Sequence, residues 1–147
     1  WYDWKEMRRD VNTLCREIVL DKFDPDVIVG LSRGGLTPGV MMSHWMKKPF
    51  KPIKTALRDY PEWEDYLPRK SDKQVLIVDD VCDSGETFHK ISKYIEERAN
   101  GVDVRFAVLY WNNECNFEPH YYVNDIAKDS TNTWIHFPWE SWWNTPI

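Results

Sequence analysis

No run of apolar residues in this chain of 147 approaches the roughly 20 positions a helix needs to cross a bilayer, so a membrane-spanning helix is excluded. Positive charge is not in surplus either. Nineteen lysines and arginines face 24 aspartates and glutamates, a formal net charge of −5 with a pI near 5.4. A nucleic-acid-binding face is ordinarily basic, so that partner is disfavoured. Cysteine is scarce and odd in number: Cys15, Cys82 and Cys115, without metal-site spacing. They read as reduced thiols in a cytoplasmic protein. The residues from Trp1 onward do not read as a signal peptide. Repeats, low-complexity tracts and dividing linkers are also missing. A single domain over residues 1–147 is therefore expected, large enough to bury a core. No Gly-Lys-Ser or Gly-Lys-Thr occurs, which removes a P-loop. Tryptophan, by contrast, is plentiful: nine, with Trp139, Trp142 and Trp143 crowding the C-terminal end. These read as core and interface packing, and the aromatic surplus points to a symmetric homo-oligomer, a dimer or tetramer.

Hydrophobic periodicity orders the chain. Trp4, Met7, Val11, Leu14, Cys15, Ile18 and Val19 recur at helical spacing, and Phe23-Asp24-Pro25 breaks the helix. Val27-Ile28-Val29-Gly30-Leu31 is a buried strand. A helix is expected from Val40 to Lys47 and a strand over residues 51–57. Residues 58–73, with two prolines and many charges, read as a long loop of the length that functional lids have. Val75, Leu76, Ile77 and Val78 form a strand buried on both faces, followed by a helix from Phe88 to Arg98. Strands at residues 104–111 and 121–126 complete the pattern. Alternating strands and helices define an α/β class with a mostly parallel sheet, whose ligands sit at the carboxyl ends of the strands.

Two loops lie at such ends. Asp79-Asp80-Val81-Cys82-Asp83-Ser84-Gly85-Glu86-Thr87 places three carboxylates and a small-residue turn between a strand and a helix. Free N–H groups and the helix dipole suit a phosphate. The carboxylates suit sugar hydroxyls, a hydrated divalent cation or a proton. Ser32-Arg33-Gly34-Gly35 follows the earlier strand. Alone it reads as a tight connection with a solvated arginine. One βα unit before the acidic run, it reads instead as N–H groups plus a guanidinium for pyrophosphate oxygens.

The acidic run resembles the phosphoribosyl pyrophosphate (PRPP) motif of the type I phosphoribosyltransferases. Within that family the chain most resembles the xanthine–guanine branch. The features are Ser32-Arg33-Gly34-Gly35-Leu36, Pro38-Gly39, the acidic run, and Thr133-Trp134-Ile135 with Pro138-Trp139-Glu140, over roughly residues 27–140. The resemblance implies the type I fold: a twisted, mostly parallel sheet flanked by helices, a flexible hood loop at 58–73 and a C-terminal base-binding segment at 127–147. It also implies a single activity, Mg²⁺-dependent transfer of phosphoribose from PRPP to a purine with release of pyrophosphate. Asp79 and Asp80 would hold the ribose hydroxyls and, with Glu140, the metal partly through water. Ser84, Gly85, Glu86 and Thr87 would grip the 5′-phosphate. Ser32, Arg33, Gly34, Gly35 and Arg58 would meet the pyrophosphate, with a non-proline cis peptide expected at Ser32-Arg33. Asp83 would be the general base toward the base N7. Trp134 would stack on the purine and Ile135 bind its edge through the backbone, although plain core packing is the rival reading for Trp134.

One departure stands out. The family has a lysine after the strand at residues 104–111 that donates to the 6-oxo group. Here the segment is Tyr110-Trp111-Asn112-Asn113-Glu114, and Asn112 is the matching position. An amide can donate to an oxo group or, rotated, accept from an amino group, but carries no charge. A phosphoacceptor domain is disfavoured because its Asp pair would follow the first strand. A PRPP- or nucleotide-sensing regulator on the same fold, or a transferase for another base, stays open as an alternative.

Overall fold

The computed structural model describes residues 1–54, 73–98 and 101–144. Five strands form one sheet in the order β2-β1-β3-β4-β5, and every neighbouring pair is parallel. They are β1 (Val27–Ser32), β2 (Phe50–Lys54), β3 (Gln74–Cys82), β4 (Asp103–Asn112) and β5 (Tyr121–Ile126). The helices are α1 (Trp4–Leu20), α2 (Leu36–Met46), α3 (Glu86–Arg98) and the short α4 (Lys128–Thr131). A 3₁₀ turn, Trp142–Asn144, follows the C-terminal segment.

Side chains alternate across the strands, and each parity enters a different core. Ile28, Leu76, Val78, Ala107 and Leu109 face α1 and Met42 of α2. Val27, Val29, Val75, Ile77, Phe106 and Val108 face Phe88, Ile91 and Ile95 of α3. Both faces of the central strands are thus covered, and their unbroken apolar runs follow from that.

Strand and helix bounds differ from the sequence expectations in two places that matter for the site. Helix α2 begins at Leu36 rather than Val40, so the Ser32-Arg33-Gly34-Gly35 loop leads directly into its first turn. Pro38 lies within that turn, where a missing N–H leaves no helical bond unmade. Strand β3 does not stop at Val78 but continues to Cys82. Its pairing with β1 ends at Gly30↔Val78, while its pairing with β4 continues through Val81↔Tyr110 and Cys82↔Trp111. Asp79 and Asp80 therefore lie on a stretch of strand that has lost one neighbour. That stretch is at the β1/β3 boundary, where chain connections diverge to the two sides of the sheet. Open α/β sheets bind ligands at such switch points. Helix α4 was not foreseen. Residues 55–57 of the expected second strand, and the whole of the expected hood loop, lie outside the described residues apart from Lys73.

The N-terminal and C-terminal segments are tied together. The Tyr2 N–H donates to the His136 carbonyl at 2.8 Å, and Trp1 stacks on His136 with ring centroids 4.8 Å apart. Beneath them, the buried Asp10 carboxylate accepts from the Tyr2 hydroxyl at 2.5 Å and from Asn124 Nδ2 at 3.0 Å. Burial, reinforced by this bond, pushes the Tyr2 hydroxyl pKa far up, so it stays a donor. The three cysteines are free thiols. Among the described residues no helix is long and apolar enough to cross a membrane.

Asp10→Ala would leave the buried Tyr2 hydroxyl without its acceptor and the Asn124 amide with only the Leu109 carbonyl. The expected loss is about 2–4 kcal/mol of unfolding free energy, read from urea denaturation. An unchanged midpoint would show that the network contributes nothing.

Candidate active site

Two recesses open at the carboxyl edge of the sheet. A cavity of about 740 Å³ is walled by Arg33 and Gly34 of the first loop, Asp80, Lys128, and the C-terminal Trp134 and Glu140. A smaller recess of about 110 Å³ is formed by Asp79, Asp83, Ser84, Gly85 and Thr87, with Val81 at its side. Asp83 and Val81 line both. Asp83 thus stands where the two spaces meet.

The small recess is the N-terminal end of α3. The Gly85 carbonyl accepts from the His89 N–H at 3.0 Å, and Ser84 Oγ accepts from the Glu86 N–H at 3.3 Å. Gly85 takes a φ of +80°, a conformation that L side chains avoid. Its α-carbon also packs against Phe117, and an added Cβ would lie 2.6 Å from the Phe117 Cβ. This turn tolerates no side chain at that position.

The Ser32–Arg33 peptide is cis, as expected from the resemblance. Gly35 donates to the Leu31 carbonyl at 2.7 Å and Leu36 to the Arg33 carbonyl at 3.1 Å, closing the loop tightly. Its glycines are explained by what lies behind them. A Cβ on Gly34 would fall on the Asp80 carboxylate, and one on Gly35 on the Val78 carbonyl. The loop is pressed against the part of β3 that β1 leaves open, and Arg33 extends from it exposed to the cavity.

The paired aspartates organise themselves through backbone donors. The Asp80 N–H donates to Asp79 Oδ1 at 2.9 Å, and the Val81 N–H to Asp80 Oδ1 at 2.7 Å. Burial and the adjoining Asp80 charge hold the Asp79 carboxyl well above the usual carboxylate range. Asp79, Asp80 and Glu140 are the acids expected to hold a metal partly through water, not as a direct three-ligand cluster. No group of three potential metal-binding side chains occurs among the described residues. Asp80 and Glu140 share the large cavity while Asp79 faces the small recess. One Glu140 oxygen also accepts from the Phe137 N–H at 3.2 Å. Two carboxylates beside open space still suit Mg²⁺, which keeps several waters and takes one or two carboxylates plus substrate phosphates.

The expected role of Asn112 is corrected. Asn112 is 1% exposed and does not reach the cavity wall. Its Nδ2 donates to the Asp83 carbonyl at 3.0 Å and to Asp83 Oδ1 at 3.4 Å. Its Oδ1 accepts from the backbone N–H of Lys128 at 3.1 Å and of Glu114 at 3.3 Å. Both ends of the amide are spent on bracing the site. The side chain that does enter the cavity is Lys128, which sequence reading missed. Its Nζ lies 2.6 Å from Asp83 Oδ2 and 4.9 Å from the centroid of the Trp134 ring. Trp134 is 68% exposed, so the core-packing alternative for it fails. Ile135 lines the same cavity. Trp139 packs in the core as expected, stacked on Phe137 at 4.7 Å, but Trp142 and Trp143 are exposed on the cavity wall. Arg58, expected as a second cation, lies outside the described residues.

A doubly covered parallel sheet with a glycine turn at a helix N-terminus, an acidic strand end and an aromatic cavity at its switch point defines a class of protein. It is an open α/β domain with its site at the carboxyl ends of the strands. The chain belongs to the phosphoribosyl transferase domain family, matched over residues 1–144, and its sheet has the type I phosphoribosyltransferase fold. It is similar to the xanthine-guanine phosphoribosyltransferase of Idiomarina loihiensis, 28% identical over 93% of this chain and 84% of that protein. A purine phosphoribosyltransferase from Pyrococcus horikoshii superposes with a TM-score of 0.75 at 28% identity, covering 99% of this chain and 94% of that one. The Helicobacter pylori xanthine-guanine-hypoxanthine phosphoribosyltransferase, 19% identical, shares the fold with a TM-score of 0.78 over 95% of this chain and 92% of its own.

Asn112→Ala removes the brace without touching the cavity wall. Turnover should fall about 10-fold or more with every base alike, because Asp83 loses its fixed orientation. A selective loss with one base would instead restore the direct role expected from the sequence.

Proposed function

We propose that this chain is a purine phosphoribosyltransferase, moving phosphoribose from PRPP to a purine nitrogen and releasing pyrophosphate, in the service of nucleotide salvage. The observation that carries this reading is the position of Asp83 at the junction of the two recesses. The anion-binding turn on one side suits a 5′-phosphate. The aromatic cavity on the other suits a purine, and the new bond forms between them.

In this reading the N–H groups at the start of α3 and the hydroxyls of Ser84 and Thr87 hold the 5′-phosphate, with Glu86 beside it. Asp79 and Asp80 accept from the ribose hydroxyls. Arg33 and the N–H groups of the 32–35 loop hold pyrophosphate, together with Arg58. Asp79, Asp80 and Glu140 would hold Mg²⁺, partly through water, and the ion would supply positive charge at the leaving group. Trp134 stacks on the base, the Ile135 backbone meets its edge, and Asp83 takes the proton from its ring nitrogen. The cations matter in a protein of net charge −5, because so anionic a donor needs a local surplus of positive charge.

A pyrophosphate-release assay with Mg²⁺, PRPP and a panel of guanine, xanthine, hypoxanthine, adenine, orotate and uracil tests the reading. Release is expected with a purine, and none with any base would sink it. Asp83→Asn should cut turnover by about 10²-fold or more while leaving the KM for PRPP within about twofold. Near-normal turnover would remove Asp83 from its role.

A further inference from the structure

Lys128 occupies a position that no ligand-filled version of this site can leave unchanged. Its ammonium lies over the face of Trp134, 4.9 Å from the ring centroid, and a planar base stacked on that face would take the same space. Its other partner is Asp83 Oδ2 at 2.6 Å, the carboxylate that in this reading takes the proton from the base's N7. The lysine side chain is largely covered, 16% exposed, while Asp83 is 53% exposed. An ion pair open to water on one side holds weakly, and a cation–π contact at an exposed ring adds little more. A ligand can open both.

The backbone of Lys128, by contrast, is fixed. Its N–H donates to the side-chain Oδ1 of the buried Asn112 at 3.1 Å, and its own carbonyl accepts from the Thr133 N–H at 3.3 Å. Trp134 follows directly. The root of the lysine and the root of the stacking ring are therefore held together while the four-carbon stem stays free to turn. When a base displaces the ammonium from the ring face, that short tether leaves it at the base's edge. There it has three donors and no acceptor. It stabilises an oxo oxygen or a negative charge on the base and repels the donors of an amino group.

Resting on the transferase reading above, we propose that Lys128 selects the base. Its ammonium covers a face of Trp134 and pairs with Asp83. With a base bound it turns to an oxo acceptor on the base edge and frees Asp83 for proton transfer. The recognising cation thus comes from the segment after β5 rather than from the end of β4, where Asn112 has become a brace.

The test uses the full chain with Lys128→Met and Lys128→Arg, measuring pyrophosphate release with guanine, xanthine, hypoxanthine and adenine. A melting curve accompanies each variant, and Lys128→Gln replaces the methionine variant if that one unfolds. Loss of the ammonium should raise the KM for oxopurines by about 10- to 100-fold, the range for one charge-assisted hydrogen bond. The KM for PRPP should stay within about twofold. The kcat/KM ratio of oxopurine to adenine should fall by about 10-fold or more, and Lys128→Arg should keep most of it. An unchanged ratio, or equal effects on the two substrates' KM values, would overturn base selection while leaving the transferase reading intact. A wild-type protein that releases no pyrophosphate with any base would overturn both, so the two failures are told apart.

Discussion

The site depends on β3 running further than β1. Four residues past the end of its pairing with β1, β3 is still held by β4 through Cys82↔Trp111. That one-sided stretch carries Asp79 and Asp80 to the sheet's edge with a fixed backbone, and it leaves beside them a slot of strand width. The Ser32-Arg33-Gly34-Gly35 loop fills the slot because two of its residues lack a Cβ. Loop and acidic strand are thereby packed as one unit, each position in one set by the other. A side chain at residue 34 would have to displace the Asp80 carboxylate. The glycines serve close approach first, whatever else they permit.

The same register sets the second half of the site. β4 ends at Asn112, which pairs with Ile126 at the end of β5. Two residues further along the chain is Lys128. The buried Asn112 amide joins the Asp83 backbone and carboxylate on one side to the Lys128 backbone on the other. One neutral side chain thus positions both members of the ion pair. A charged residue in its place would have to be buried or turned outward into the cavity, and burial of an unbraced charge is costly. An amide can satisfy four directions at once without that cost.

Much of this was legible in the sequence because it is local. Buried strands are runs of apolar residues, and the acidic run and its glycine turn are contiguous. The family resemblance carried the fold and the cis peptide at Ser32–Arg33. What the sequence could not reveal was a matter of register. Asn112 and Lys128 are 16 residues apart, and only the parallel pairing of β4 with β5 brings them together. The available signal was the match of two strand ends, Asn112 and Ile126, followed at once by a lysine and then by Trp134. Position-by-position matching fixed attention on residue 112, where a cation is missing, and not on the neighbouring strand end that could supply one. Adjacency in sequence does not imply a shared recess either. Asp79 and Asp80 are adjacent in sequence, but strand alternation sends them to different recesses.

The arrangement also explains how an acidic protein can hold so anionic a donor. Acids and cations share the cavity: Arg33 and Asp80 both line it, and Lys128 lies against Asp83. These cations offset carboxylates that crowd one strand end, where burial and the adjoining Asp80 charge raise the Asp79 carboxyl above the usual carboxylate range. Each partner is then available for exchange. A phosphate can take the guanidinium and a base edge can take the ammonium, and neither requires a charge to be brought in from solvent. The Lys128–Asp83 pair is weak by construction, since Asp83 is its exposed member. Weakness is the useful property. A buried, fully satisfied salt bridge between Lys128 and Asp83 would stabilise the empty site and would have to be broken in every cycle, whereas an exposed one changes partners at little cost.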